Sequence, residues 1–321
     1  MGMNGGQWNQ PSRHEKRGRF RWDRLILVIV FGGLILYGMV KFVGYGIDLL
    51  SSALTSRELQ RVYHDEEQTE TIASVITQAP VTLPPATAMP TSTVASTPTA
   101  KPTLSTVKYP ANPDTQISRR FKALRKENKD IVGWLTVNTL LDEPVVQRDE
   151  VFYMDHDALG KKNVNGAIFM DSSISLKTRP YALVLYGHNM KTGAMFGSLR
   201  NFENTNFYHN NPFIRLDTMY EDGAYVIFAV GSISTEPRTR HYVDFFSLTS
   251  NRIQERQTAI GALIAASVYT CPLDVQPDDQ LLILITCIEK SPDRRMVAAR
   301  RIRDGENENT LKERVSWSRK K

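Results

Sequence analysis

The run LILVIVFGGLILYGMV, from Leu25 to Val40, contains no charged residue, and beyond Lys41 the apolar character continues to Ile47. Nothing else in the chain restricts its architecture so strongly. A bilayer core about 30 Å thick takes about 20 helical residues to cross. Residues 25–47 reach that length, and Lys41 can extend its ammonium toward an interface. The alternative is a cleaved signal peptide. Such peptides have a shorter apolar region and a small-residue cleavage site, for which SSA at 51–53 is a poor candidate. The expectation is a retained transmembrane anchor. Arg13, Lys16, Arg17, Arg19, Arg21 and Arg24 precede it. The positive-inside rule then puts residues 1–24 in the cytoplasm and everything after Ile47 outside.

The net charge of +6 sits at the two ends. Residues 1–24 carry six Arg/Lys against two acids, and residues 306–321 carry five against three, which accounts for +4 and +2. The stretch between is close to neutral, so the basic face that a nucleic-acid binder shows on its folded part is not expected. Cys271 and Cys287 are the only cysteines. They allow at most one bridge and no disulfide framework. The histidines at 14, 64, 156, 188, 209 and 241 lack the close pairing of a Cys/His metal site. No metal and no other cofactor is expected.

Residues 80–113 hold eight of the sixteen prolines and eight threonines, with only Lys101 and Lys108 charged. Such a segment cannot bury a core, and at about 3.1 Å per residue it could extend on the order of 100 Å. Residues 48–115 are accordingly expected to be a disordered, extracytoplasmic stalk. From Ile117 the texture changes. Ile117, Phe121 and Leu124 have helical spacing, and IVGWLTV then reads as a strand. EPVVQ, GAIFMD, YALVLYGH, AYVIFAVGSIS, QLLILITC and RMVAARRI are further strands, with a helix at about 249–266. Many short strands with few helices point to a closed or sandwiched, mainly β domain over residues 116–305. Residues 306–321 read as a charged tail.

Two strands end on reactive side chains. YALVLYGHNM leaves its strand through Gly187, which exposes His188. Cys287 ends LLILITC in the same manner. Each alone has a plain structural reading, as a strand-end histidine or a buried inert thiol. Together with an arginine after Cys287 they supply what a thiol nucleophile requires: a base or cation that raises the thiolate fraction, and a donor for the oxyanion. A carboxylate or Asn to orient the histidine is not evident at a fixed spacing. His156, His209 and His241 read as solvated loop residues, and Glu289 as a surface residue.

These motifs resemble the sortase family, class B type. The resemblance rests on YGHNM at 186–190, TC at 286–287 after an apolar strand, and an arginine opening RMVAARRI. NKDIVGWLTVNTLLDEPVVQ at 128–147 and NVNGAIFMDSS at 163–173 fit the same class, so that it covers about residues 116–303. It implies an eight-stranded β-barrel with appended helices and a cysteine transpeptidase. Such an enzyme cleaves a sorting motif in secreted proteins through a thioacyl intermediate and passes them to an amine on a cell-wall precursor or a pilin. Carried across, Cys287 is the nucleophile, His188 the acid/base, and Arg295 the oxyanion or substrate-positioning residue. Arg295 is chosen over Arg294 because it directly precedes the apolar strand. Thr286 and Asn189 are candidate substrate contacts, and 232–272 corresponds to the loop that shapes motif recognition. Cys271 has no role in the pattern and is expected to be a spare thiol. Two other readings stay open: a cysteine endopeptidase that hydrolyses the same intermediate, and a stalked binding module without catalysis.

Overall fold

A computed structural model describes residues 22–77, 111–149, 151–234, 236–239, 241–287 and 293–321. The chain divides into two compact units, Met1–Ile47 and Asp48–Lys321. In the first, helix α1 (Trp22–Thr77) begins, and its described large apolar side chains from Ile26 to Ile47 are exposed. Among the described residues this is the one helix long and apolar enough to cross a membrane.

The second unit is a barrel with helices around it. After α2 (Arg119–Glu127) come β1 (Ile131–Val137), β2 (Leu141–Val146), β3 (Ile168–Met170), β4 (Ala182–Gly187), a 3-10 helix (Phe196–Glu203) and α3 (Thr205–Asn210). Then follow β5 (Phe213–Thr218), β6 (Ala224–Ser234), α4 (Phe245–Thr249), α5 (Ile253–Ala266), β7 (Tyr269–Thr270), β8 (Leu281–Cys287), β9 (Asp293–Arg301), α6 (Glu308–Ser316) and β10 (Arg319–Lys320). Eight strands close in the order β1-β2-β3-β4-β8-β9-β6-β5. The ladder is antiparallel except for β2·β3 and β4·β8. Strand β8 lies between β4 and β9, and Leu281 to Thr286 are all buried. A strand covered on both faces is apolar at every position rather than at alternate ones, which explains the unbroken LLILI.

The eighth strand, β5, escaped the sequence reading. FIRLDT does alternate: Ile214, Leu216 and Thr218 are buried while Arg215 is exposed. Its arginine and aspartate mask the period-two pattern. The C-terminal residues also differ from the expected tail. Leu311 and Val315 of α6 are buried against the barrel core, and β10 pairs with β7. Their charges lie on the outer side of elements whose apolar positions are few but well spaced.

A larger correction concerns residues 48–77, which are helix rather than stalk. Residues 48–70 of α1 pack on the barrel. Leu59 and Tyr63 are buried in a cluster with Phe121, Leu124, Ile131 and Trp134, and the Tyr63 ring stacks on Trp134 at 4.4 Å. The Tyr63 hydroxyl donates to Asp217 and accepts from Arg120 at 2.9 Å, while Arg120 forks onto Asp222 at 2.7 and 2.9 Å. His64 bridges Glu67 and Asp142 at 3.0 and 2.9 Å. Burial opposes charging His64, but these two acceptors outweigh it and raise its pKa. Ser56 donates to Glu143 at 2.6 Å. Burial beneath the helix, with Asp142 adjacent, pushes the Glu143 carboxyl up to about 7. Ser52, Thr55, Leu59 and Tyr63 recur at three- and four-residue spacing, a helical signal overshadowed by the Pro/Thr-rich composition that follows. The middle of the expected stalk, residues 78–110, lies outside the described residues, as does the expected cytoplasmic segment up to Arg21.

Candidate active site

Strands β4 and β8 run parallel, with Gly187 the register partner of Thr286. The next residue on each strand is therefore His188 and Cys287, side by side at the same end of adjacent strands. Strand β9 returns antiparallel along β8, opposing Thr286 with Arg295 and Cys287 with Arg294. Directly opposed positions in an antiparallel ladder lie on one face of the sheet. The Cys287 side chain and Glu289 lie outside the described residues, so the main-chain register defines the place of the nucleophile candidate.

A pocket of about 200 Å³ opens there, lined by His188, Arg294, Thr286, Met154, Phe169 and Tyr186 among others. Its walls are mainly apolar, which suits a peptide side chain and weakens competition from water for polar contacts at its rim. Phe169 and Tyr186 meet at 5.4 Å between ring centroids, and the Tyr186 hydroxyl donates to Asp171 at 3.2 Å.

His188 is held by main chain on two sides. Its carbonyl accepts from Phe196 N–H at 3.0 Å, and its Nε2 lies 2.6 Å from the Met154 carbonyl oxygen. A carbonyl only accepts, so Nε2 carries the proton and Nδ1 is left for proton exchange. The orienting group that the sequence did not reveal is thus a backbone carbonyl, where papain-like enzymes use an Asn side chain. Two glycines make room for this arrangement. A Cβ on Gly187 would sit 2.9 Å from the Phe196 ring. At Gly166, φ is +61°, and a Cβ would sit 2.9 Å from the Met154 oxygen and 3.0 Å from His188 Cδ2.

The two adjacent arginines are placed differently. Arg295 is opposed to Thr286, not to Cys287, and its guanidinium is engaged by Glu203 at 2.9 Å. Arg294 shares the rung with Cys287 and lines the pocket with His188. The cause is strand parity: neighbours on β9 point to opposite faces, and apolar continuation alone does not say which one meets the thiol. Thr286 lines the pocket. Its Oγ1 is buried with no hydrogen-bond partner among the described residues. Asn189 forms a short bridge with Met195 and is not part of the pocket wall. Cys271 is a free thiol that accepts from the Tyr208 hydroxyl at 3.4 Å and packs against the barrel core. His156 stacks on Phe152 at 4.0 Å, and His209 meets the Ser318 carbonyl at 3.2 Å. Neither contributes to the pocket.

Known proteins share the sequence pattern and the fold of this chain. The sortase domain family model matches residues 137–302. Sortase B of Listeria monocytogenes is 28% identical over 186 residues, covering 55% of this chain and 70% of that protein. Sortase B of Staphylococcus aureus is 29% identical over 170 residues, 52% of this chain and 67% of that protein. Of solved structures, sortase B from Bacillus anthracis in complex with AAEK1 aligns over 80% of this chain and 99% of its own with a TM-score of 0.58. Its 23% identity makes that a likeness of fold. A Staphylococcus aureus sortase B–substrate complex aligns over 60% and 88% with a TM-score of 0.53 at 25% identity. With the family model spanning over half of its length and the closed eight-stranded barrel in place, this chain belongs to the sortase family, class B, and is a cysteine transpeptidase.

Proposed function

We propose that this enzyme is membrane-anchored through residues 25–47, with its N-terminus cytoplasmic and its catalytic unit outside. There it cleaves a sorting motif in secreted proteins and joins them to an amine of the cell wall or of a pilin. The observation that carries the site assignment is the register bringing positions 188, 287 and 294 to one end of three neighbouring strands around one pocket. The Cys287 thiolate attacks the scissile carbonyl, forming the C–S bond and an oxyanion. The Arg294 guanidinium stabilises that charge with directional donors. Collapse breaks the C–N bond, and the imidazolium of His188 gives its Nδ1 proton to the departing amine. Neutral His188 then takes a proton from the incoming amine as it attacks the thioester, and Cys287 leaves as thiolate. Throughout, Met154 keeps Nε2 protonated and the ring in plane. Thr286 borders the pocket and is the proposed neighbour of the substrate main chain.

The charge asymmetry about Leu25–Ile47 supports the orientation. The function is tested by incubating residues 48–321 with sorting-motif peptides, with and without amine acceptors, and reading products by mass. Amine-dependent ligation products are expected from the parent and none from Cys287→Ala. Hydrolysis products alone, whatever amine is supplied, would refute the transfer step.

A further inference from the structure

Between Val146 and Ile168 the described residues form no strand, only a 3-10 turn at Phe152–Met154 and a single bridge between His156 and Lys162, yet this loop carries the carbonyl that holds His188. Asn128 and Asp130 hold one side of it, through the Tyr153 hydroxyl and the Ala158 carbonyl; α1 holds the other. Asn163 Nδ2 donates to the Asp48 carbonyl at 2.9 Å and to Ser51 Oγ at 2.7 Å. Asn165 Nδ2 donates to Ser52 Oγ at 3.1 Å, and Thr55 Oγ1 donates to the Asp157 carboxylate at 3.1 Å. Asn163, Asn165 and Asp157 are at most 3% exposed, so these bonds have no water to replace them. Inside the loop Asp157 accepts from the N–H groups of Leu159 and Lys161. Asn163 Oδ1 accepts from Asn165 N–H, and Ala167 N–H donates to the Tyr153 carbonyl at 3.0 Å. The two arms of the loop are thereby joined, with Met154 on one and Gly166 on the other, and both touch His188.

We infer that the segment Ser51–Thr55 of α1 is a positioning element of the active site: it clamps the 153–167 loop so that the Met154 carbonyl holds the His188 ring. The inference rests on His188 being the acid/base. It gives the helix a role in chemistry beyond anchoring. The polar face of Ser51, Ser52 and Thr55 ties down a loop that lacks a ladder of its own. A misplacement of about 1 Å at a reacting group costs on the order of 10² in rate. Loss of the clamp should therefore appear in turnover before it appears in substrate affinity.

The test uses the full chain in detergent, labelled with ¹⁵N-histidine. Ser51→Ala/Ser52→Ala/Thr55→Val removes the three side-chain contacts of the helix and leaves the Asp48 carbonyl bond and the loop's own bonds intact. Gly166→Ala presses on the Tyr153 and Met154 carbonyls and on the edge of the His188 ring, with the helix intact. Both should lower kcat for acylation by about 10- to 100-fold with KM near the parent value. Both should also move the His188 ring nitrogens from a pure Nε2–H tautomer toward a mixture; the His188→Gln spectrum identifies the signals. Parent-like turnover with parent-like His188 signals in the triple variant would overturn the inference. So would a fall in turnover accompanied by unchanged His188 signals. His188→Ala is the separate control: if it stays active, the acid/base assignment fails, and the clamp is judged on the ring signals alone.

Discussion

Removing the Arg294 side chain should stop acylation, while removing its neighbour's should not. Arg294 lines the pocket with His188 and opposes Cys287 on the ladder. Arg294→Ala therefore deletes the donor for the oxyanion, a loss worth about 2.7–4 kcal/mol, or 10²- to 10³-fold in rate. Arg294→Lys keeps the charge but replaces a planar fork by a hydrated point charge, and should recover little of it. Arg295→Ala breaks the ion pair with Glu203, whose side chain is 43% exposed. An ion pair open to water on one side is worth about 1 kcal/mol or less, and this one acts on stability, not on the reacting atoms. The assay is quenched-flow mixing with a sorting-motif peptide, followed by the mass of the thioacyl enzyme against time. Arg294→Ala and Arg294→Lys should both be crippled, with Arg295→Ala within a few-fold of the parent. A severe defect in Arg295→Ala beside a mild one in Arg294→Ala would refute the register argument.

Four further outcomes are expected. Tyr63→Ala removes a ring stacked on Trp134 and leaves Arg120 and Asp217 short of a partner; residues 48–321 should lose about 3–5 kcal/mol in urea unfolding, and a loss below 1 kcal/mol would mean that the helix is not docked. Glu143, raised from 4.5 to about 7, holds its proton more tightly folded than unfolded; its contribution is fully present below pH 4.5 and is lost as pH climbs through 7, by at most about 3 kcal/mol. Glu143→Gln should flatten stability over that window, and an unchanged slope would contradict the burial argument; His64, also raised, loses its contribution in the same direction above its unfolded pKa. Cys271→Ala should keep most of the turnover that Cys287→Ala abolishes, as read by product mass. A reporter fused after Lys321 should be active only outside the cytoplasm, and cytoplasmic activity would reverse the orientation.

Much of this protein was legible without coordinates because the relevant signals are local. An uncharged run of membrane length, apolar strands bounded by turns, and a glycine that frees the chain before His188 each act over a few residues. Motifs in their chain order carried the family, and with it the proposal of Cys287 as nucleophile and His188 as acid/base. Docking of residues 48–70 was harder to see: Leu59, Val62 and Tyr63 give only a short stripe, and its partners Trp134, Phe121 and Asp217 are distant in the chain.

Local patterns along the chain are enough to establish a membrane-length apolar run, a mainly β domain, and a thiol and an imidazole at strand ends. Tertiary structure alone placed Arg294 on the rung of Cys287 and in the pocket wall, because β8 and the apolar part of β9 are buried on both faces and alternation carries no information there. It also decided what orients His188. The Met154 carbonyl is chemically the same as every other carbonyl in the chain, and only folding brings it within 2.6 Å of the ring.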